Sequence, residues 1–223
     1  MFSLSERFKD SFPEAKIGFL AVKDINLSSS SSDLMLEMQK SLEDQLKQKF
    51  SECTKKDLKE LEEIRAYSDH YKKFKKTYHV LLQLESVALK GKELFRGNVF
   101  VQIMLMSELK NLLLTSVHDL EKTRGAILVD SSDGTETYEG IDGTLRSLKA
   151  NDMIMKDAEG IISSVIYGPD KRTMVDDNTK AALFAVYAPA GIGEEKVWTH
   201  LEDIRQYILE VSPDAHSSDI KVL

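Results

Sequence analysis

The chain has 223 residues, 42% of them hydrophobic, enough to bury a substantial core, and a formal net charge of -7. That acidic balance argues against a broadly basic surface, because affinity for nucleic acid comes largely from Lys and Arg displacing counterions from phosphates. One cysteine, Cys53, excludes an internal disulfide, and no apolar run approaches the roughly 20 residues that span a bilayer.

The N-terminal segment MFSLSERFKDSF carries charges where a secretory leader has its apolar centre, so a soluble, cytoplasmic protein is expected. Ile17 to Ile25 is a nearly continuous apolar run of strand length, which fits a central strand buried on both faces. Asn26 to Ser32 reads as a flexible turn whose last serines, or Asp33, cap the following helix. In that helix Leu34, Met38, Leu42, Leu46 and Phe50 recur every four residues as one apolar stripe. A break is expected near Cys53, where Thr54 and Asp57 have the spacing of a capping box, and Leu58 to Phe74 continues an apolar helical face. Tyr78 to Leu89 and Phe100 to Leu114 read as two further helices.

After Leu114, β-branched and turn residues replace the helical stripe. Strands are expected at Ala126 to Asp130, Thr137 to Glu139, Met153 to Lys156, Ile161 to Tyr167 and Leu183 to Ala188. Glu194 to Val211 reads as an amphipathic helix lying on the sheet, and Ser212 to Leu223 as a frayed end. Residues 1–114 are therefore helix-rich, 115–192 strand-rich, and 194–211 a closing helix. Helices gathered before strands, without regular alternation, predict one α+β domain over 1–223, with helices packed on a mainly antiparallel sheet.

No standard catalytic signature is present. The glycines of Ala188 to Gly193 lack a Walker lysine, no Gly-x-Ser-x-Gly elbow occurs, and the five histidines are scattered rather than at metal-ligand spacing, so neither a metal nor a cofactor is expected. Cys53, among charged helical residues, reads as a plain thiol. What remains is polar residues in apolar or turn contexts. Asn98 is either the N-cap of the helix after it or a residue pointing into a pocket. The pair His118–Asp119 is either an exposed loop pair or a general base with an orienting carboxylate. In the loop from Tyr167 to Lys180, Asp170, Lys171, Arg172 and Thr173 either form surface ion pairs or hold an anionic or amino-acid-like ligand, Arg172 by a bidentate fork. Lys72, Lys73, Lys75 and Lys76 form either a solvated helix face or a local basic patch.

The order of these elements resembles a known module. Pro13 to Gly18 leads into an apolar strand, then Tyr71-Lys72-Lys73-Phe74, Leu89-Lys90-Gly91-Lys92-Glu93-Leu94, Asn98 to Ile103, His118 to Lys122, and finally Ile141 to Val186. Over roughly Phe12 to Tyr207 this is similar to the freestanding B3/B4 proteins and to the B3/B4 domain of the phenylalanyl-tRNA synthetase beta chain. The resemblance implies a B3/B4-like α+β fold, tRNA or aminoacyl-tRNA as partner, and hydrolysis of a mischarged aminoacyl ester. It also locates departures: the family's Thr-Asn pair falls on Met104–Leu105, its editing histidine on Ser116, and an aromatic position on His118. Asp170 stands for an acidic pocket residue. The expected ligand-binding residues are Asn98, Gln102, Ser116, Tyr138, Tyr167, Arg172 and Thr173, with His118 and Asp170 as catalytic candidates. Because site residues rather than fold determine activity, the second expectation is a small-molecule or protein-binding module that kept the fold and lost the editing groups. That reading places an apolar pocket near Met104, Tyr138 and Tyr167.

Overall fold

A computed structural model describes residues 2–223, apart from the side chains of Ser29 and Ser30. The chain opens with β1 (Phe2–Leu4), α1 (Glu6–Ser11) and β2 (Lys16–Lys23). Helices α2 (Ser29–Lys49), α3 (Lys55–Glu60), α4 (Glu62–Lys72), α5 (His79–Leu84) and α6 (Val99–Asn111) follow, with a π-helical turn at Glu85–Leu89. Then come β3 (Thr115–Asp119), β4 (Ile127–Ser131), β5 (Thr137–Glu139), β6 (Leu145–Ser147), β7 (Met153–Lys156), β8 (Ile161–Ser164), β9 (Gly168–Pro169) and β10 (Ala182–Ala188). Helix α7 (Glu194–Val211) precedes two short strands, β11 (His216–Ser217) and β12 (Lys221–Val222).

The two most apolar segments, β2 and β10, pair antiparallel along seven residues from Ala182–Val22 to Ala188–Lys16. They form the middle of one sheet, in the order β11-β2-β10-β3 with β12 also on β2. A second sheet runs β1-β4-β7-β8-β9, and β5 and β6 form a separate hairpin. Among the described residues the β1–β4 pair is parallel and the other strand pairs are antiparallel, so the fold is α+β with helices on a mainly antiparallel sheet.

Side chains alternate across a strand, and β2 uses both faces. At Gly18 a Cβ would stand 2.5 Å from Val197 Cγ1 and 2.8 Å from Leu201 Cδ1, so the missing side chain is what admits α7. The next residue, Phe19, points the other way and stacks on Phe2 of the second sheet at 4.4 Å. Helices α2, α6 and α7 pack on one another, with α7 on β2 and α6 against β3. Asp130 ties the N-terminus to the second sheet: it accepts from Ser5 Oγ at 2.5 Å, Arg7 Nη2 at 2.8 Å and Lys156 Nζ at 2.6 Å. Burial alone would raise its pKa, but these bonds hold it well below the usual carboxylate range.

Several expectations need correction. Helix α2 begins at Ser29, inside the serine run, after Ser28, whose backbone N–H donates to Ser31 Oγ at 3.0 Å. Its buried stripe contains Met35 (1% exposed) in place of Leu34 (38%). His118 and Asp119 are not an exposed loop pair: both are buried in β3, an element that the sequence reading left out. Ser212 to Leu223 is not frayed, since β11 and β12 add to β2 and the Ile17–Leu223 pair exchanges both backbone bonds.

Candidate functional site

Between α5, α6, β3, β8 and the segment after β8 lies a cavity of about 680 Å³. Helix α6 supplies one wall through its periodicity. Asn98, Val101, Met104, Leu105 and Glu108 recur at helical spacing and all line the cavity. Val117, Val165, Ile166, Met174 and Val175 make the opposite wall apolar, while Ser116, Ser163, Ser164 and Tyr187 add hydroxyl groups. At the mouth, Lys76 Nζ sits 5.7 Å from the centre of the Tyr167 ring.

A buried polar chain runs back from Ser116. The Thr173 hydroxyl donates to Asp170 Oδ1, which leaves Thr173 Oγ1 as acceptor for His118 Nδ1–H at 2.7 Å. The other ring nitrogen, Nε2, then carries the lone pair and accepts from Ser116 Oγ at 3.0 Å. Burial pushes the His118 pKa down to about 3, with Arg172 adding to the effect, so the ring is neutral at physiological pH. Burial pushes the Asp170 carboxyl up. Ser116 Oγ also lies 3.5 Å from the Tyr187 hydroxyl, whose pKa burial raises to about 12.

Glu108 is the second notable group. Its side chain is wholly buried, Oε1 accepts from Thr115 N at 2.8 Å, and Oε2 has no hydrogen-bond partner among the described residues. Burial raises its pKa to about 8. His79 Nε2 lies 3.9 Å from Oε2, beyond hydrogen-bond reach, and desolvation lowers the pKa of its ring, so near neutrality the pair carries no full ionic contact.

The sequence-predicted residues divide between the cavity and its supports. Asn98 does both things considered for it: its Oδ1 accepts from Phe100 N at 3.0 Å as the cap of α6, and it lines the cavity. Ser116 and Tyr167 also line it. His118, Thr173 and Asp170 stand behind Ser116 rather than on the cavity wall. Gln102 turns to Gly97 O at 2.6 Å, and Tyr138 donates to Gly168 O at 2.6 Å and packs with Leu148 and Ile154. Arg172 spends its guanidinium on Asp157 Oδ1 at 2.8 Å and Lys122 O at 2.9 Å. Glu108, His79 and Tyr187 were not anticipated, and Lys76, expected only as part of a basic patch or a solvated face, also lines the cavity. The signal for Glu108 was available, since it falls four residues after Met104 on an otherwise apolar helix face.

Two features define the class of protein: an α+β fold of two sheets with a helical layer, and a large cavity carrying an apolar wall and a few convergent polar groups. The chain belongs to the B3/4 domain family, whose model matches residues 65–203. Among solved structures it is similar to an N-terminal fragment of the phenylalanyl-tRNA synthetase beta-subunit from Pyrococcus horikoshii, with a TM-score of 0.54 and 13% identity. That match covers 97% of this chain and 50% of the fragment, so the chain spans about half of that protein's length. No curated protein matches the sequence. No helix among the described residues is long and apolar enough to cross a membrane.

Proposed function

We propose that the chain binds the aminoacyl end of an RNA, with the amino-acid side chain in the cavity, and hydrolyses the ester. The single observation that carries this reading is the Ser116 hydroxyl on the cavity wall, held 3.0 Å from the lone-pair nitrogen of His118. A cavity of about 680 Å³ fits an amino-acid side chain together with its ester and part of the attached sugar. In this reading Ser116 attacks the ester carbonyl as His118 takes its proton; the proton then passes to the departing RNA hydroxyl, and water releases the acyl group. Lys73, Lys75 and Lys76 are exposed and make no ion pair among the described residues, which leaves them available to phosphates despite the net charge of -7. Incubation with a panel of mischarged tRNAs tests the proposal. Deacylation by the native protein, lost in Ser116→Ala, is expected; neither deacylation nor salt-sensitive tRNA binding with any member would overturn it.

The complete burial of His118 favours a second reading, a binding module without hydrolysis. A histidine with a pKa of about 3 is a poor proton acceptor at neutral pH. On that reading the native protein and Ser116→Ala bind the same ligands and neither turns any over.

A further inference from the structure

The cavity holds a buried carboxyl that the ester chemistry does not use. Ordinarily a buried polar atom is hydrogen-bonded, and an unpartnered one stands out. Glu108 Oε2 is such an atom, while its twin Oε1 is fixed by Thr115 N at 2.8 Å. The side chain therefore cannot turn away to find another partner without breaking a bond to β3. Val101, Met104 and Leu105 lie on the same helix face, and Leu114, just before β3, and Val117 of β3 line the same cavity, so a ligand that reaches Oε2 meets mainly apolar surface, with His79, Gln83, Thr115 and Ser116 as the polar groups nearby in the lining.

We propose that Glu108 is the anchor for a primary ammonium group carried on an apolar body, with the body against Val101, Met104 and Leu105. His79, 46% exposed at its side chain and 3.9 Å from Oε2, is the group the arriving ammonium displaces. An ammonium supplies three donors and a full positive charge, which is what an acceptor-only carboxylate in an apolar wall lacks. The inference stands on the cavity alone and needs no RNA. If the aminoacyl reading also holds, the ammonium is the α-amino group of the bound amino acid, and an N-acylated one is refused because it has neither charge nor three donors.

With a pKa of about 8, Glu108 is about 90% protonated at pH 7 in the free protein, so taking up an ammonium releases about 0.9 proton to solvent. The carboxylate fraction rises about tenfold between pH 7 and pH 9, while an alkylammonium, like a lysine with a pKa of about 10.4, stays charged. Among the groups facing Glu108 from neighbouring elements, the tyrosines and histidines that burial shifts lie outside that window, and the other charged groups are Glu63 and Lys76. On α4 and before α5, burial raises the Tyr67, Tyr71 and Tyr78 hydroxyls far above it. On α5, burial lowers His79, and His200 of α7, which contacts Thr115, is pushed down to about 3. Glu63 of α4 is paired with Lys196 at 2.6 Å. Lys76 lines the same cavity as a resident cation. Asp152, which burial pushes up to about 7, lies outside the lining, and the Glu108 variant below separates its contribution.

The test is calorimetric titration of the full chain with hexylamine and with its neutral isostere hexanol, at pH 7 and pH 9 and in two buffers of different ionisation heat. The expected result is hexylamine bound at least tenfold more tightly than hexanol, about tenfold more tightly at pH 9 than at pH 7, with about 0.9 proton released at pH 7. Glu108→Gln keeps the acceptor for Thr115 N, so the fold is retained, and it is expected to remove both the amine preference and the pH dependence. Equal binding of amine and alcohol to the native protein, no binding of either, or a pH-dependent preference that survives in Glu108→Gln would each overturn the proposal. Because no RNA is present, these outcomes are independent of the aminoacyl-RNA reading.

Discussion

Replacing Glu108 by Gln should change how folding stability depends on pH, even with no ligand present. In the folded chain burial raises this carboxyl from 4.5 to about 8, so between those values the native state holds a proton that the unfolded chain releases. Stability from this group is fully present below pH 4.5 and is lost as pH rises through 8. The slope approaches about 1.4 kcal/mol per pH unit, and integration from pH 6 to pH 8 gives a loss of about 2 kcal/mol. Other buried groups act in the same range. His118 and His200, both pushed down to about 3, gain stability up to pH 6.5, and Asp152, pushed up to about 7, loses it. These contributions are common to both proteins and cancel in the difference. Urea unfolding of native and Glu108→Gln chains at pH 6, 7 and 8 therefore isolates the carboxyl. The native protein should lose about 2 kcal/mol relative to the variant across that interval. Parallel pH profiles would refute the buried, unpartnered state of Glu108.

Gly18→Ala places a methyl group where Val197 Cγ1 and Leu201 Cδ1 already stand, 2.5 and 2.8 Å from the new carbon. Helix α7 must shift, and a loss of about 1–3 kcal/mol in thermal or urea unfolding is expected. Unchanged stability would contradict the close approach of α7 to β2. Asp130→Asn weakens the ties to Ser5, Arg7 and Lys156, with an expected loss of about 2 kcal/mol at pH 7. Because the native carboxyl is held below its usual range, that advantage is present above pH 4 and fades as pH falls, so the native and variant profiles should converge in acid. For RNA binding, changing Lys73, Lys75 and Lys76 together to Glu should lower the slope of log affinity against log salt by about two or more, since each lost phosphate contact contributes about 0.7 to 0.9. An unchanged slope would remove these lysines from any nucleic-acid contact.

Where the pattern in the sequence was strong, it reflected burial directly. The uninterrupted apolar runs of β2 and β10 belong to strands covered on both faces, and the Leu201, Ile204 and Ile208 spacing of α7 belongs to a helix buried on one. Strand β3 was hidden because its residues, Thr-Ser-Val-His-Asp, are mostly polar. They are buried anyway because each polar group finds a partner: Thr115 at His200, Ser116 and His118 with each other, Asp119 at Thr179. Such pairings are tertiary and leave no local trace. The α2 stripe was misphased for a geometric reason. A helix turns by about 100° per residue, so an exact four-residue repeat drifts by about 40° per step and carries Leu34 out of the face that holds Leu46 and Phe50. Strands β11 and β12 have two residues each and exist only through pairing with β2. In the site, the family resemblance and the loop chemistry pointed to Asn98, Ser116 and Tyr167 on the cavity wall. It missed Glu108, although Asn98, Val101, Leu105 and Glu108 fall on one face at steps of three and four.

The cavity as the seat of an aminoacyl group is tested most directly by comparing one tRNA in its aminoacylated and uncharged forms for binding to the native protein. A non-hydrolysable amide-linked aminoacyl-tRNA, titrated at low and moderate salt, keeps turnover out of the measurement. The charged form should bind more tightly, both should lose affinity with salt, and the difference between them should disappear when Met104→Trp fills the cavity. Equal affinity of the two forms for the native protein, at either salt concentration, would contradict that role for the cavity.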